Sequence, residues 1–303
     1  MWRSWKLGRA FGIDVFVHWS FLLLPLYVFF NGLFDGGLTL ALFLVCMALA
    51  VFGCVVLHEL GHALMARYFG IGTRDITLYP IGGVARLERM SESPAEEIFI
   101  ALAGPAVNVV IAAVLLPLLW LLSGLNALGH FGLLLPGPGE SFGPHLVGPL
   151  LCWLLASNIL LAGFNMIPAF PMDGGRVLRA LLAFGMDRLQ ATEIAVGVSS
   201  VLALGLAVLP FLPLLLGLGM GSPMLVLLAG FVFIMGRMEL AALRHREAQR
   251  RAEAAWAEQG EVLDVLPADP EPGFTGFAWD NRARVWVVWR DGRPVTTFGA
   301  GPE

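Results

Sequence analysis

The sequence predicts an all-α polytopic membrane protein with six transmembrane helices, a small membrane-associated β-hairpin and a short cytoplasmic C-terminal α/β tail. Three observations predict it. First, 57% of the 303 residues are hydrophobic and 14% are charged, and mean hydropathy is +0.77. A soluble domain carries about a quarter charged residues. Second, apolar runs long enough to cross a bilayer as helix, roughly 20 residues, recur at about 18 to 34, 38 to 69, 95 to 123, 145 to 167, 191 to 216 and 223 to 243. Third, positive charge is one-sided. Every Arg and Lys lies in residues 1 to 17, 70 to 94, 168 to 190, the C-terminal tail, or at the adjoining helix ends (Arg67, Arg237). The loops at about 124 to 144 and 217 to 222 contain none. Positive residues mark the cytoplasmic side, so both termini are expected there.

Three regions follow: an N-terminal cytoplasmic segment (1 to 17), a membrane domain (18 to 243, catalytic core about 38 to 190) and a cytoplasmic tail (244 to 303). No cleavable signal peptide is expected, because no small-residue cleavage site follows a short apolar core. The third span opens with Ser93-Pro94-Ala95-Glu96, a capping box with proline at the first helical position. Residues 73 to 90 alternate apolar and polar around Pro80-Ile81-Gly82-Gly83, which predicts a hairpin. In the tail a charged helix over about 237 to 259 continues the sixth span, a loose linker runs from Gly260 to Gly276, and Arg284 to Phe298 predicts a hairpin turning at Asp291-Gly292. Cys46, Cys54 and Cys152 sit in apolar runs and read as small hydrophobes. A net charge of -4 gives no sign of a nucleic-acid partner. Lys6 is the only lysine among 19 basic residues, a bias that points to a GC-rich bacterial source and hence to the bacterial inner membrane.

The chemistry begins at His58-Glu59-Leu60-Gly61-His62 in the second span. Histidines four apart share one helix face and reach one metal. A carboxylate beside the first of them, Glu59, is placed to take a proton from an attacking water and return it to a leaving amine. Such a short pattern arises by chance, but ionisable residues inside a span are costly and mark function. A catalytic zinc site wants a third protein ligand. The segment Asn165-Met166-Ile167-Pro168-Ala169-Phe170-Pro171-Met172-Asp173-Gly174-Gly175-Arg176 offers Asp173. Its prolines end the fourth helix and its glycines permit a tight turn. Asp173 is the best ligand candidate, with an N-cap of the next short helix as the alternative. Depth agrees: at 1.5 Å per residue His62 lies roughly 7 Å and His58 roughly 13 Å inside Arg67, and the fourth span ends on the same side.

Together, H-E-x-x-H and N-x-x-P-x-x-P-x-D-G-G-R resemble the site-2 protease family of intramembrane zinc metalloproteases. His18-Trp19-Ser20, Gly82-Gly83-Val84-Ala85 and Ala103-Gly104-Pro105-Ala106-Val107-Asn108 follow the family's order, so the resemblance covers roughly residues 10 to 190. It implies one Zn2+ per chain held by His58, His62 and Asp173, with Glu59 as general base and acid and Asn165 at the substrate or oxyanion. It also implies regulated intramembrane proteolysis of a membrane-anchored protein, such as an anti-sigma factor or a pro-protein. The tail departs from the family, being too short for the usual CBS pair and unlike a PDZ module.

Gly82 and Gly83 are candidates for substrate-strand binding, by edge addition of the unwound substrate to the hairpin. Asn108 and Asn158 read as interhelical hydrogen-bonders, and His18 as a packing or interfacial residue. His130, His145 and His245 read as solvated, Glu88, Glu96 and Glu97 as a solvated loop and helix start, and Arg244 to Arg251 as a solvated basic face. Two other functions compete: a metal transporter or channel, and a catalytically inactive relative that binds. Neither needs a carboxylate at Glu59. Oligomeric state is not encoded in any feature of the chain.

Overall fold

A computed structural model describes residues 4–80, 82–89, 91, 93–123, 147–215, 222–259, 273–280 and 285–298. The chain divides into two units, residues 1–242 and 243–303.

The first unit opens with strands β1 (Ser4–Ala10) and β2 (Ile13–His18), joined at Phe11-Gly12, where both residues have positive φ. A 3₁₀ turn leads into α1 (Leu23–Tyr68), then β3 (Thr73–Tyr79), β4 (Gly82–Leu87) and α2 (Pro94–Ser123). After residues outside the described set come α3 (Val147–Asn165), α4 (Asp173–Leu182), α5 (Arg188–Val208), a short α6 (Leu212–Leu215) and α7 (Met224–Gln259), which runs on into the second unit. The expected outer loops, with His130 and His145, and most of the expected linker also lie outside the described residues.

The N-terminal segment is no plain leader. The expected hairpin, β3–β4, is half of a four-stranded sheet ordered β1-β2-β3-β4, in which β2 and β3 run parallel and the other pairs antiparallel. Ile13, Val15, Ile76 and Leu78 alternate inward, and Ile13 and Ile76 bury against Leu60 and Ala63 of α1. Burying each such Ile or Leu contributes about 1.5–3 kcal/mol. The sheet therefore rests on the α1 segment that carries the His motif.

Among the described residues five helical runs are long and apolar enough to cross a membrane: Trp19–Tyr68, Pro94–Leu122, Val147–Asn165, Arg188–Phe211 and Met224–Ala252. The sequence predicts six, and the difference lies in the first run. Leu23–Tyr68 has 46 residues, about 69 Å if straight. Yet Val17, just before it, pairs with Leu78, just after it. The helix doubles back at Gly36 and Gly37, whose backbone is not helical. Phe21 meets Phe52 edge-on at 4.7 Å, and a Cβ on Gly32 would lie 2.7 Å from the Ala41 Cα. Large apolar side chains such as Leu26, Phe30, Val110, Leu116, Leu160 and Val201 face outward, as a lipid environment requires.

In the second unit β5 (Gly276–Asp280), β6 (Val285–Arg290) and β7 (Arg293–Phe298) form an antiparallel sheet. Asp291 and Gly292, both at positive φ, make the β6–β7 turn. β5 starts at the last residue of the expected linker and lies ahead of the expected hairpin, where the sequence predicts no strand.

The doubled helix can be tested by its contact glycine. Gly32→Leu forces apart the backbones at Ala41 and should cost about 1–3 kcal/mol in thermal unfolding of the detergent-purified protein. Gly53 has open space around its Cα, so Gly53→Ala should cost nothing and add up to about 1 kcal/mol of helix propensity. Equal effects of the two would contradict the packing.

Candidate metal centre

His58 and His62 lie one turn apart on α1, with their Nε2 atoms 3.1 Å from each other. Asp173 Oδ2 stands 3.2 Å from both. The three residues are 5%, 5% and 8% exposed. Tetrahedral zinc with bonds of about 2.0–2.1 Å puts its ligand atoms about 3.3 Å apart, and this triangle of donors fits that edge. Two imidazole nitrogens and one carboxylate oxygen also match the donor set zinc takes in catalytic sites.

Each ligand is held by local chain chemistry. His62 Nδ1 lies 2.6 Å from the Ile100 carbonyl on α2. A carbonyl only accepts, so Nδ1 carries the proton and Nε2 keeps its lone pair for a metal. His58 Nδ1 has no hydrogen-bond partner among the described residues. α1 and α2 cross at glycines. A Cβ on Gly61 would lie 2.7 Å from the Ala103 carbonyl oxygen, and one on Gly104 would strike Nε2 of both His62 and His58.

Asp173 is delivered by the break between α3 and α4. It is the first residue of α4; the N-cap is Met172, and no side chain caps the helix. The carboxylate is spent on the histidines, which decides against the N-cap reading. Gly174 packs against the Met166 and Ile167 carbonyls, and Gly175 against Ala169 and Phe170, so neither tolerates a side chain. The Phe170 N–H donates to Ser199 Oγ at 2.9 Å, tying the loop to α5.

Glu59 is half-buried where α1 meets β4. Its Oε2 accepts from the Ala85 N–H at 3.3 Å. Gly83 lies against it, and a Cβ there would come 2.7 Å from Glu59 Cγ. Gly82 faces open space and has φ 144°. The Glu88 N–H bonds back to Gly72, and strand N–H groups alternate sides. The Gly83 and Ala85 N–H groups therefore point to the free edge of β4.

Asn165 is the half-buried last residue of α3, and no hydrogen bond ties it to the three ligands. Asn158 is fully buried and reaches across to Cys54 Sγ of α1 at 3.3 Å and back to the Leu154 carbonyl at 2.8 Å. Asn108, also expected between helices, is buried but finds no partner among the described residues. His18 packs on Tyr79 and caps the 3₁₀ turn through Ser20; His245 is exposed. Glu96 of the expected capping box accepts instead from Ser91 Oγ at 2.7 Å, two residues before Ser93.

Glu97 corrects the expectation of a solvated helix start. It is buried and accepts from Arg179 through Nε at 2.9 Å and through Nη2, and from Arg188 Nη2 at 3.0 Å. Arg179 Nη1 donates to Glu239 at 2.7 Å. Burial opposes the charge on Arg179, but Glu97 and Glu239 outweigh it and raise its pKa above the ordinary value. Sequence reasoning missed this network because its members lie 82 and 60 residues apart. The one available signal was an arginine inside an apolar helical stretch.

Fold and site define a class: a multi-pass membrane protein with a three-donor metal cradle beside a carboxylate, the equipment of a metallohydrolase. A family model, Peptidase family M50, matches residues 46–142. A zinc metalloprotease of Methanocaldococcus jannaschii is 33% identical over 298 residues, covering 98% of this chain and 78% of that protein. Rip3 of Mycobacterium tuberculosis is 30% identical over 285 residues, 91% of this chain and 65% of that protein. The structure of the site-2 protease from M. jannaschii superimposes with TM-score 0.54 at 32% identity, covering 78% of this chain and 95% of that one. The chain belongs to peptidase family M50, the site-2 proteases, and is an intramembrane zinc metalloprotease.

The Gly104 contact predicts that Gly104→Ala displaces the two imidazoles. Zinc content after dialysis should fall and affinity drop by at least about tenfold, the scale of lost ligand orientation. Gly163 has no neighbour to strike, so Gly163→Ala should retain the metal. Full zinc occupancy in Gly104→Ala would contradict the crossing.

Proposed function

We propose that the chain is an endopeptidase that cuts a membrane-anchored protein in or beside its transmembrane segment, with one zinc per chain held by His58, His62 and Asp173 and with Glu59 as general base and acid. The observation that carries this reading is the triangle of donor atoms at 3.1–3.2 Å with Glu59 one residue from the first ligand. Zinc in that cradle supplies Lewis acidity, polarising the scissile carbonyl and lowering the pKa of water. The chain's own residues do the rest. The Ala85 N–H holds Glu59 Oε2, leaving Oε1 to take a proton from the attacking water and give it to the leaving amine nitrogen. Asn165 donates its amide to the developing oxyanion; its place on the segment that delivers Asp173 supports this role.

A helical substrate hides its carbonyls in its own hydrogen bonds, so the residues at the scissile bond must first extend. The outer edge of β4, with the Gly83 N–H group pointing outward beside Glu59, supports pairing of that extended strand there. Regulated intramembrane proteolysis of a bacterial membrane regulator or pro-protein is the biological setting, with the lipid bilayer as the other partner.

We further read the two arms of α1 as separate crossings, giving six spans with both termini in the cytoplasm of a bacterial inner membrane. Parallel pairing of β2 with β3 supports an even number of crossings between them. The one-sided arginines support the orientation.

Two measurements test these readings. Glu59→Gln should keep its zinc and lose about 10²–10⁴-fold in cleavage of a membrane-anchored reporter, whereas His62→Ala should lose the metal as well. Persistent cleavage in Glu59→Gln removes the mechanism. Reporter fusions at the two termini should both report cytoplasm, and one at the Gly36-Gly37 turn the opposite side; a cytoplasmic signal there removes the sixth span.

A further inference from the structure

The metal cradle is assembled from two separately anchored parts. One is α1 with α2, where the Ile100 carbonyl on α2 orients His62. The other is α4, a ten-residue helix that presents Asp173 from its first position. This short helix packs against α2 and α5, and its angle against α2 depends on where polar contacts join the two.

The Glu97–Arg179 pair supplies that fixing. Glu97 stands three residues before Ile100 and seven before Gly104, so all three share one face of α2. Arg179 stands six residues after Asp173, about 9 Å along α4. α2 and α4 are thus joined at two points, one at the metal cradle and one at the ion pair. The pair is buried, with Arg179 1% exposed, and bidentate: Nε and Nη2 both donate to Glu97 Oε1. Its other bonds are closed by Glu239 of α7 on Nη1 and by Arg188 of α5 on Glu97 Oε2. The Arg179 guanidinium also lies 5.2 Å over the ring of Phe170, in the loop that delivers Asp173. Two carboxylates and two guanidiniums balance, so no uncompensated charge is left in the cluster. A planar fork held on three sides fixes direction as well as distance, which a lysine ammonium does not.

We propose that Arg179, clamped by Glu97 and Glu239, is a positioning residue for the metal site: it sets the angle of α4 and so holds Asp173 against His58 and His62. This rests on the reading that these three residues bind the metal. The clamp acts through helix placement and touches neither substrate nor metal. Its loss should weaken metal binding by about 10–100-fold, the range typical of groups that orient ligands without contacting the metal.

The test uses the full chain purified in detergent and loaded with Co2+, whose visible spectrum reports ligand geometry. Affinity is measured by competition with a chelator for the unmodified protein, Arg179→Met, Arg179→Lys, Glu239→Gln and Asp173→Ala. Asp173→Ala should lose tight binding; if it binds like the unmodified protein, the ligand assignment beneath the proposal is wrong. Given that loss, the clamp predicts a graded series. Arg179→Met should bind about 10–100-fold more weakly with an altered spectrum, Arg179→Lys should be partly restored, and Glu239→Gln should lose least. If Arg179→Met does not fold, Arg179→Lys and Glu239→Gln still decide. Unmodified affinity and spectrum in both overturn the proposal, even where their thermal stability falls.

Discussion

Three polar side chains, one of them a carboxylate, meet inside a bundle whose outer faces are apolar. An unpaired carboxylate in such surroundings is prohibitively costly. Asp173 therefore has to reach the imidazoles of His58 and His62 closely and from an exact direction, and that demand shapes the chain around it. Regular helix cannot bring residue 173 to residue 58, so α3 stops at Asn165 and a run of tight turns through Pro168 and Pro171, not the extended backbone that the prolines suggest, carries the chain across. Gly174 and Gly175 let the returning backbone lie on its own carbonyls. The site is thus made by interrupting a helix where interruption is expensive.

Helix approach is the second half of the same problem. Lipid tails are as apolar as leucine, so burial gives membrane helices little reason to associate, and close packing with polar contacts takes its place. Gly61 and Gly104 bring α1 and α2 to backbone contact at the metal cradle, and Gly32 does the same within α1. Asn158 reaching Cys54 adds a weak polar tie between α3 and α1. Substrate recognition uses neither feature. In the proposed reading it falls to the backbone edge of β4 beside Glu59.

What could be read in the sequence follows the range of the forces involved. His58, Glu59 and His62 are local, since four residues on one helix face need no knowledge of the rest. Asp173 was legible because prolines and glycines announce a broken helix, and the structure brings it within 3.2 Å of both histidines. Strand β1 and β2 were not, because Trp5, Leu7, Ile13, Val15 and Val17 alternate over stretches too short to stand out beside the first long apolar run, and their partner β3 lies beyond 46 residues of helix. Glu97 misled for the same reason. At a helix start an acid reads as solvated and dipole-favouring; only the fold reveals the arginine that buries it. The two apolar stretches of α1 were legible as separate because Gly36-Gly37 stands between them.

The parallel pairing of β2 with β3 also orders events in time. β1 and β2 leave the ribosome before α1, yet β2 has no parallel neighbour until residues 73–79 have been made. Closing that pair encloses the whole of α1, so the strands can zip only after both arms of the helix have been synthesised and folded back. During that interval Ile13 has neither β3 near it nor Leu60 and Ala63 beneath it. The completed sheet is then a latch: once β3 docks, the two arms cannot separate without first breaking a strand pair that lies outside them.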